Sequence, residues 1–520
     1  MFKFKEIADP TSQPLYLYEN FRQAADASPD SVIHLDAPLS AYPEIGLHVT
    51  YSEAADAVAR RGEQFIAQGI EPGDHVVIYK SALFDSYLLA VAVSYAGAVP
   101  VMISPHLDAQ TVTVMAARLK QPWLVFDAAT GEKAAAITSV DETRKLTTQV
   151  IRDSVVDTAQ GPGRKPGVGE IAYMTHTSGT TGIPKFIAHS PTSMGWRVTW
   201  QRRVLKFVDR QGLVAFHVSP VHSRFNIGIA SLMSYGFSFL NIGDPREDNV
   251  EALLRQYRPL ALESHPNHLV RWTSIVDRDP SVFASVQYVH STFDAVNKGT
   301  MLKYLNASEQ PDPVYLQVYG QSECGPMVVR ANTRELLRHS DARGMGYGMP
   351  NFTEVRIVDE NGDPLPPGRQ GIIEMSSRGR AVTYYGEEER FEKNLRDGWW
   401  NSGDQGEIGP DGQLSLHDRQ VDLIDDVKST LAIEDVLLDK LDFLNEVVLV
   451  RTADGDPQPV ISVADGHEMD WDAWWACVAD MPRLEAPVIL PFEKFPRTAT
   501  MKIQRNRLEE LLRREVTRAA

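Results

Sequence analysis

The hydrophobic pattern switches repeatedly between two periods. Residues 51–66 (YSEAADAVARRGEQFI) place apolar side chains at helical spacing, and the turn Glu71-Pro72-Gly73-Asp74 follows. His75–Tyr79 is a short β-branched run and predicts a strand; a helix over 83–96 and a strand at Val99–Ile103 come next. A helix over 110–119 and a strand at Trp123–Asp127 continue the series. Strands alternating with helices at this pitch predict βαβ units around a parallel sheet. After a Gly- and Pro-rich loop at 157–169, the alternation resumes through Leu213–Val218, Ser238–Ile242, Leu260–Glu263, Tyr288–Ser291 and Tyr315–Tyr319.

From about residue 351 the texture changes to short strands with close turns, which predicts a β-rich subdomain over 351–420. Beyond Arg419 the chain has its own strands (Val447–Arg451, Pro459–Val463) and a polar helix over 504–518. The expected fold is α/β: a large N-terminal domain (1–420) of βαβ-built sheets with the β-rich subdomain, and a small α+β C-terminal domain (421–520).

Composition narrows the function classes. At 520 residues the chain exceeds what one core organises. With 69 acidic and 52 basic residues the net charge is −17, a field that repels nucleic acid and anionic membranes, so a small-molecule substrate is expected. The most apolar stretch, Leu88–Ile103, contains Ser94, Gly97 and Pro100 and falls short of the ~20 residues a membrane span needs. No long apolar run follows Met1–Glu6, so no signal peptide is expected. Two cysteines, Cys324 and Cys477, give neither a disulfide framework nor metal-site spacing, and fit a reducing, cytoplasmic setting.

The strongest chemical signal is Thr177-Ser178-Gly179-Thr180-Thr181-Gly182-Ile183-Pro184-Lys185, entered from the apolar run Ile171–Met174. Hydroxyls and two glycines make a loop whose backbone N–H groups can approach phosphate oxygens, and Lys185 adds a charge. The Walker pattern GxxxxGK[ST] is absent. On composition alone the segment reads equally as a Ser/Thr/Gly surface turn.

In company with later motifs the loop resembles the phosphate loop of the adenylate-forming superfamily: acyl- and aryl-CoA ligases, luciferases and peptide-synthetase adenylation domains. Tyr319-Gly320-Gln321-Ser322-Glu323 resembles YGxTE, and Trp400-Asn401-Ser402-Gly403-Asp404 resembles [YW]xTGD. Arg419 in Asp418-Arg419-Gln420-Val421-Asp422 matches the arginine of GRxxD, and Pro496–Lys502 resembles PxTxxGK. The resemblance implies that Tyr319 stacks on adenine, Glu323 helps hold Mg²⁺, Asp404 accepts the ribose hydroxyls and Arg419 contacts the nucleotide. It implies that Thr177–Lys185 holds the β- and γ-phosphates of ATP and that Lys502 is catalytic, neutralising the α-phosphate. His222 lies near the family's PxFH histidine, one residue short in spacing, and is expected as a catalytic or substrate-binding imidazole.

Departures cluster on the thiol-accepting side. Phe186 follows Lys185 where the family has glycine, Asp418 and Met501 replace motif glycines, and Val421 stands at the hinge. Asp425–Thr430 replaces a Gly-rich turn beside the pantetheine tunnel, so CoA as acceptor is in doubt. On the substrate side Arg224, Phe293 and Asp294 are expected to line the pocket; Arg224 suits a carboxylate or other oxyanion, and Asp294 an amine or hydroxyl. Three readings follow. The first is activation of an aryl or acyl carboxylate, as in acyl-CoA ligases. The second is a diazotase that adenylates nitrite and diazotises an aromatic amine. The third is a non-catalytic nucleotide-binding regulator, against which the joint presence of Glu323, Asp404, Arg419 and Lys502 argues.

Overall fold

The computed structural model describes residues 11–177, 182–208, 211–292, 296–340, 342–419, 424, 427, 429–452, 454–464, 466–498 and 503–519, without the side chains of 419 and 514–519. Helix Tyr51–Ala67 opens with a capping box: the Thr50 hydroxyl accepts from Glu53 N–H, and the Glu53 carboxylate accepts from Thr50 N–H. It packs on helix Phe84–Tyr95, which is buried almost throughout; that is why its sequence is apolar on all sides rather than striped.

Two sheets carry the N-terminal region. One has seven strands, in spatial order 383–384, 186–189, 173–176, 99–102, 75–78, 123–126 and 145–147. The other has a run of six parallel strands, ordered Val32–Leu35, Phe239–Asn241, Val214–His217, Ala261–Ser264, Tyr288–Ser291 and Val314–Gln321. Their continuous apolar runs reflect burial on both faces.

The β-rich region begins earlier than the pattern suggested and is not a separate sheet. Strand Gly325–Asn332, which the sequence reading did not anticipate, pairs antiparallel with Val314–Gln321, and Gly344–Gly348 pairs with it in turn. Through Leu414–Arg419, Trp399–Ile408, Gly371–Ser377 and Thr353–Val358 the same sheet continues. The junction needs Gly346: its φ is +90°, and a Cβ there would sit 2.1 Å from the Val329 carbonyl.

Residues beyond Arg419 form helix Thr430–Lys440, the strands Leu444–Arg451, Pro457–Val463 and Val488–Ile489, and helices Trp471–Val478 and Arg505–Ala519. They share a core built on Leu437, Leu444, Val447, Ile461 and Trp474. Among the described residues no helix is long and apolar enough to cross a membrane.

Candidate active site

A cleft opens beyond the carboxyl ends of the parallel strands, where ligands settle in open α/β sheets. Pro266 and Asn267 follow strand Ala261–Ser264, Val296 and Asn297 follow Tyr288–Ser291, and Tyr319–Gln321 end Val314–Gln321. Asp404 and Asp418 enter from the antiparallel half, and Thr430, Glu434, Asn445 and Arg505 from the C-terminal region.

Two motifs separated by some eighty residues are joined by hydrogen bonds. The Tyr319 hydroxyl donates to Asp404 Oδ2 at 2.7 Å, and Gln321 Nε2 donates to the same oxygen at 3.1 Å and to the Ser402 carbonyl at 2.7 Å. Trp400 Nε1 donates to Gln321 Oε1 at 3.0 Å, so Gln321 is held at both ends. An amide suits this position because it carries donors and an acceptor together. Asp404 is 7% exposed and presents its carboxylate to the cleft.

A second constellation surrounds Glu323. Its Oε1 accepts from the Tyr384 hydroxyl at 2.5 Å, and the described residues give Oε2 no hydrogen-bond partner. Lys185 lies 4.4 Å from the centroid of the Tyr384 ring, with Nζ 3.4 Å from its hydroxyl. Burial lowers the pKa of Lys185, and the Glu323 carboxylate partly offsets this. Thr177 N–H donates to the Lys185 carbonyl at 3.0 Å and Lys185 N–H to Thr177 Oγ1 at 3.1 Å, closing the loop that runs between them.

Glu323 is positioned by a residue with no motif signature. Arg197, on helix Pro191–Leu205, donates to the carbonyls of Gly379, Ser322 and Glu323 at 2.6, 3.0 and 2.9 Å, and to Ser223 Oγ at 3.1 Å. Its shaft passes Gly325 and Gly379, where an added Cβ would approach within 3.0 and 2.8 Å. Desolvation pulls the guanidinium down to about 10, which leaves it charged at neutral pH.

Histidines meet between the sheets. Ring centroids are 6.3 Å apart for His176–His222, 6.4 Å for His222–His265, 6.3 Å for His217–His265 and 4.6 Å for His217–His268. Ser104 N–H donates to His176 Nε2, so the His176 proton sits on Nδ1 and is donated to the Thr177 carbonyl at 2.7 Å. Burial lowers the pKa of His176, His217, His265 and His268.

Arg224, in the first turn of helix Ser223–Met233, reaches the strands that carry Glu263 and His290. Its Nε donates to Glu263 Oε1 at 2.7 Å and its Nη2 to Oε2 at 2.5 Å, with His290 Nδ1 3.1 Å from the same carboxylate. The guanidinium is thus already matched by a protein anion, and the sequence offered no sign of this because Glu263 belongs to a strand read as core.

The expected residues Ser178, Gly179, Thr180, Thr181, Phe293, Asp294 and Lys502 lie outside the described residues, as does the Arg419 side chain. The structure brings Thr177 and Lys185 to Glu323 through Tyr384, and Tyr319 to Asp404. Gly182 has φ +143°, and a Cβ on Gly320 would sit 2.1 Å from the Gly325 carbonyl. Ser322 takes part through its carbonyl. Arg197, Gln321, Tyr384 and His176 were missed as functional positions. Only the midpoint placement of Gln321 inside a motif was a usable hint.

The crevice at the strand ends presents the Tyr319–Asp404 pair, and just past its Gln321 edge Lys185 and the buried Glu323 meet around Tyr384; an aromatic–acid pair near a lysine and a carboxylate is a set suited to a nucleotide-activating enzyme. The family model described as AMP-binding enzyme matches residues 21–385, and the chain belongs to that family. It is 35% identical over 528 aligned residues (96% of this chain, 95% of the relative) to 3-amino-2-hydroxy-4-methoxybenzoate diazotase of Streptomyces cremeus. It is 23% identical over 516 (95% of each) to 4-chlorobenzoate–CoA ligase of an Arthrobacter species. In fold it matches O-succinylbenzoate coenzyme A synthetase (MenE) from Bacillus subtilis in complex with ATP and magnesium ion. The TM-score is 0.77 at 17% identity, covering 96% of this chain and 100% of the other. The protein is an adenylate-forming enzyme that uses ATP to activate a carboxylate or a related oxyanion.

Proposed function

We propose that the oxyanion is nitrite and the acceptor an aromatic amine, so that the enzyme is an ATP-dependent diazotase. The observation that carries this is the 35% identity, along 96% of the chain, to a diazotase, against 23% to the aryl-CoA ligase.

The residues fit ATP. Asp404 offers a carboxylate to the ribose hydroxyls, Tyr319 a ring to adenine, and Thr177–Lys185 donors to the β- and γ-phosphates. Glu323, buried with one oxygen that has no hydrogen-bond partner among the described residues, suits Mg²⁺, which would neutralise phosphate charge. Lys502 is assigned to the α-phosphate. A nitrite oxygen attacks the α-phosphorus and the bond to pyrophosphate breaks. The amine nitrogen then attacks the nitrogen of the mixed anhydride, its bond to the AMP oxygen breaks, and one amine proton is lost. Transfer of the second proton to oxygen gives the diazohydroxide, and return of the first proton to that hydroxyl lets it leave as water and the diazonium ion remain. The imidazole of His222, which lies among the histidines between the sheets, can carry these protons.

Asp418 supports an acceptor other than CoA. Where the family resemblance expects glycine, this carboxylate accepts from Thr430 N–H, Thr430 Oγ1–H and Leu431 N–H at 3.0, 2.8 and 3.1 Å. It thereby ties the last strand of the large sheet to the first C-terminal helix.

The test is AMP release with ATP and Mg²⁺ across nitrite with and without arylamines, and across aromatic and aliphatic acids with and without CoA. Turnover that needs nitrite and consumes the amine is expected. Acyl-CoA formation without nitrite would assign the enzyme to the ligases instead.

A further inference from the structure

Just past the Gln321 edge of the cleft, one short segment laces the two sheets together. Ala381 N–H donates to the Glu323 carbonyl at 2.7 Å, while Val382 N–H and Tyr385 N–H donate to the carbonyls of Ala188 and Phe186 at 2.8 and 3.0 Å. Glu323 follows the strand Val314–Gln321 of the large sheet; Phe186–His189, in the seven-stranded sheet, begins directly after Lys185. Strand Thr383–Tyr384 pairs antiparallel with Phe186–His189 and sets Tyr384 opposite Ile187. Tyr384 is 1% exposed, and its ring packs edge-on against Phe391 and Trp400, with centroids 5.2 and 6.0 Å away. Backbone pairing and ring packing together fix where its hydroxyl points.

That hydroxyl stands between two opposite charges, 3.4 Å from Lys185 Nζ and 2.5 Å from Glu323 Oε1. An ammonium only donates and a carboxylate only accepts, so the phenol accepts from Lys185 and donates to Glu323. Among the described residues Lys185 and Glu323 make no ion pair with each other; the phenol oxygen bridges them. A direct pair is what two such charges would form in a half-buried site, where attraction is stronger than in water. It would leave little of either charge for a ligand. Through the bridge Glu323 keeps Oε2 without a hydrogen-bond partner among the described residues, and Lys185, held over the ring, keeps its other N–H donors. A divalent cation chelated by a polyphosphate offers the complement: a metal for the carboxylate oxygen and anionic oxygens for the ammonium.

We propose that Tyr384 is a positioning residue for Mg²⁺-bound ATP. Its hydroxyl holds Lys185 and Glu323 apart, leaving the carboxylate open to the metal and the ammonium to the β- and γ-phosphates, a role that rests on the assignment of Glu323 to Mg²⁺ and is the same whichever oxyanion is activated. In Tyr384→Phe the ring and its packing remain, the separator is lost, and Lys185 closes on Glu323.

The test is calorimetric titration of the protein with ATP, in Mg²⁺ and in EDTA, and with AMP. The ratio of the two ATP affinities is the contribution of the metal. In Tyr384→Phe this ratio is expected to fall by at least about tenfold. AMP affinity should stay within about twofold of wild type, because the Tyr319–Asp404 pair is untouched. In Glu323→Gln the ratio should fall as far, and adding Tyr384→Phe should then change it by no more than about twofold, since no carboxylate remains for the lysine to close on. A ratio that Glu323→Gln lowers and Tyr384→Phe does not, a full second loss in the double variant, or an equal loss of AMP affinity would overturn the positioning role. A ratio unchanged in Glu323→Gln would instead remove Mg²⁺ from Glu323, and the role of Tyr384 with it. If Tyr384→Phe does not fold, Lys185→Met decides: the hydroxyl still holds Glu323, so the ratio should stay at or above roughly a third of the wild-type value, and its collapse would overturn the role.

Discussion

Replacing Asp418 by alanine isolates the tie between the large sheet and the C-terminal helix. The carboxylate is 2% exposed and accepts from two backbone N–H groups and one hydroxyl at the start of helix Thr430–Lys440. Ser429 already caps Ala432 N–H, so the N–H groups of Thr430 and Leu431 depend on Asp418. A hydrogen bond to a charged group contributes about 1.5–3 kcal/mol, and a carboxylate at a helix N-terminus about 0.3–1 kcal/mol more. The three bonds share one acceptor and are not additive, so a loss of about 3 kcal/mol is expected rather than their sum. That corresponds to roughly a hundredfold in a local opening equilibrium. Hydrogen exchange reads it directly: amides of residues 430–440 should lose about two orders of magnitude of protection while the strand Val314–Gln321 keeps its own. Asp418→Asn, which retains one acceptor oxygen, should fall between. Protection within about threefold of wild type in Asp418→Ala would refute the reasoning.

Lys502→Ala should abolish ATP–pyrophosphate exchange while ATP binding by equilibrium titration stays nearly unchanged; exchange at a near-normal rate would remove Lys502 from the α-phosphate. Asp404→Ala deprives the Tyr319 hydroxyl and the Gln321 amide of their shared acceptor, and nucleotide affinity should drop about ten- to hundredfold. The buried histidines set an acid limit on stability. Folded pKa values of His176, His189, His217, His265 and His268 lie below the unfolded value near 6.5, so unfolding takes up protons in acid. Their stabilising contribution is complete above about pH 6.5 and is lost as pH falls below it, by up to roughly 1.4 kcal/mol per group per pH unit. Denaturant midpoints between pH 7.5 and 5.5 measure this, and a flat profile would contradict the burial of these rings.

The nucleotide chemistry was legible because it lives in short contiguous segments. Tyr319–Glu323 and Trp400–Asp404 each place their groups along one strand or at its end, where spacing along the chain is nearly spacing in space. The strands from His75 to Trp123 were equally readable, since their β-branched runs have the length and punctuation of buried parallel strands. The Arg224–Glu263 pair was not readable. Arg224 looked like a candidate for a substrate oxyanion, and only the sheet register, which sets Glu263 beside His290, shows that its charge is already answered. Arg197 and Tyr384 were invisible for the same reason: one sits on a helix 126 residues before Glu323 and the other 61 residues after it, and no local period encodes the meeting. The sequence by itself determined the fold class and the family, because propensity and short motifs are local. Tertiary structure alone decided which charges are neutralised and which polar groups meet, because burial and partnership arise only when distant strands are brought into register.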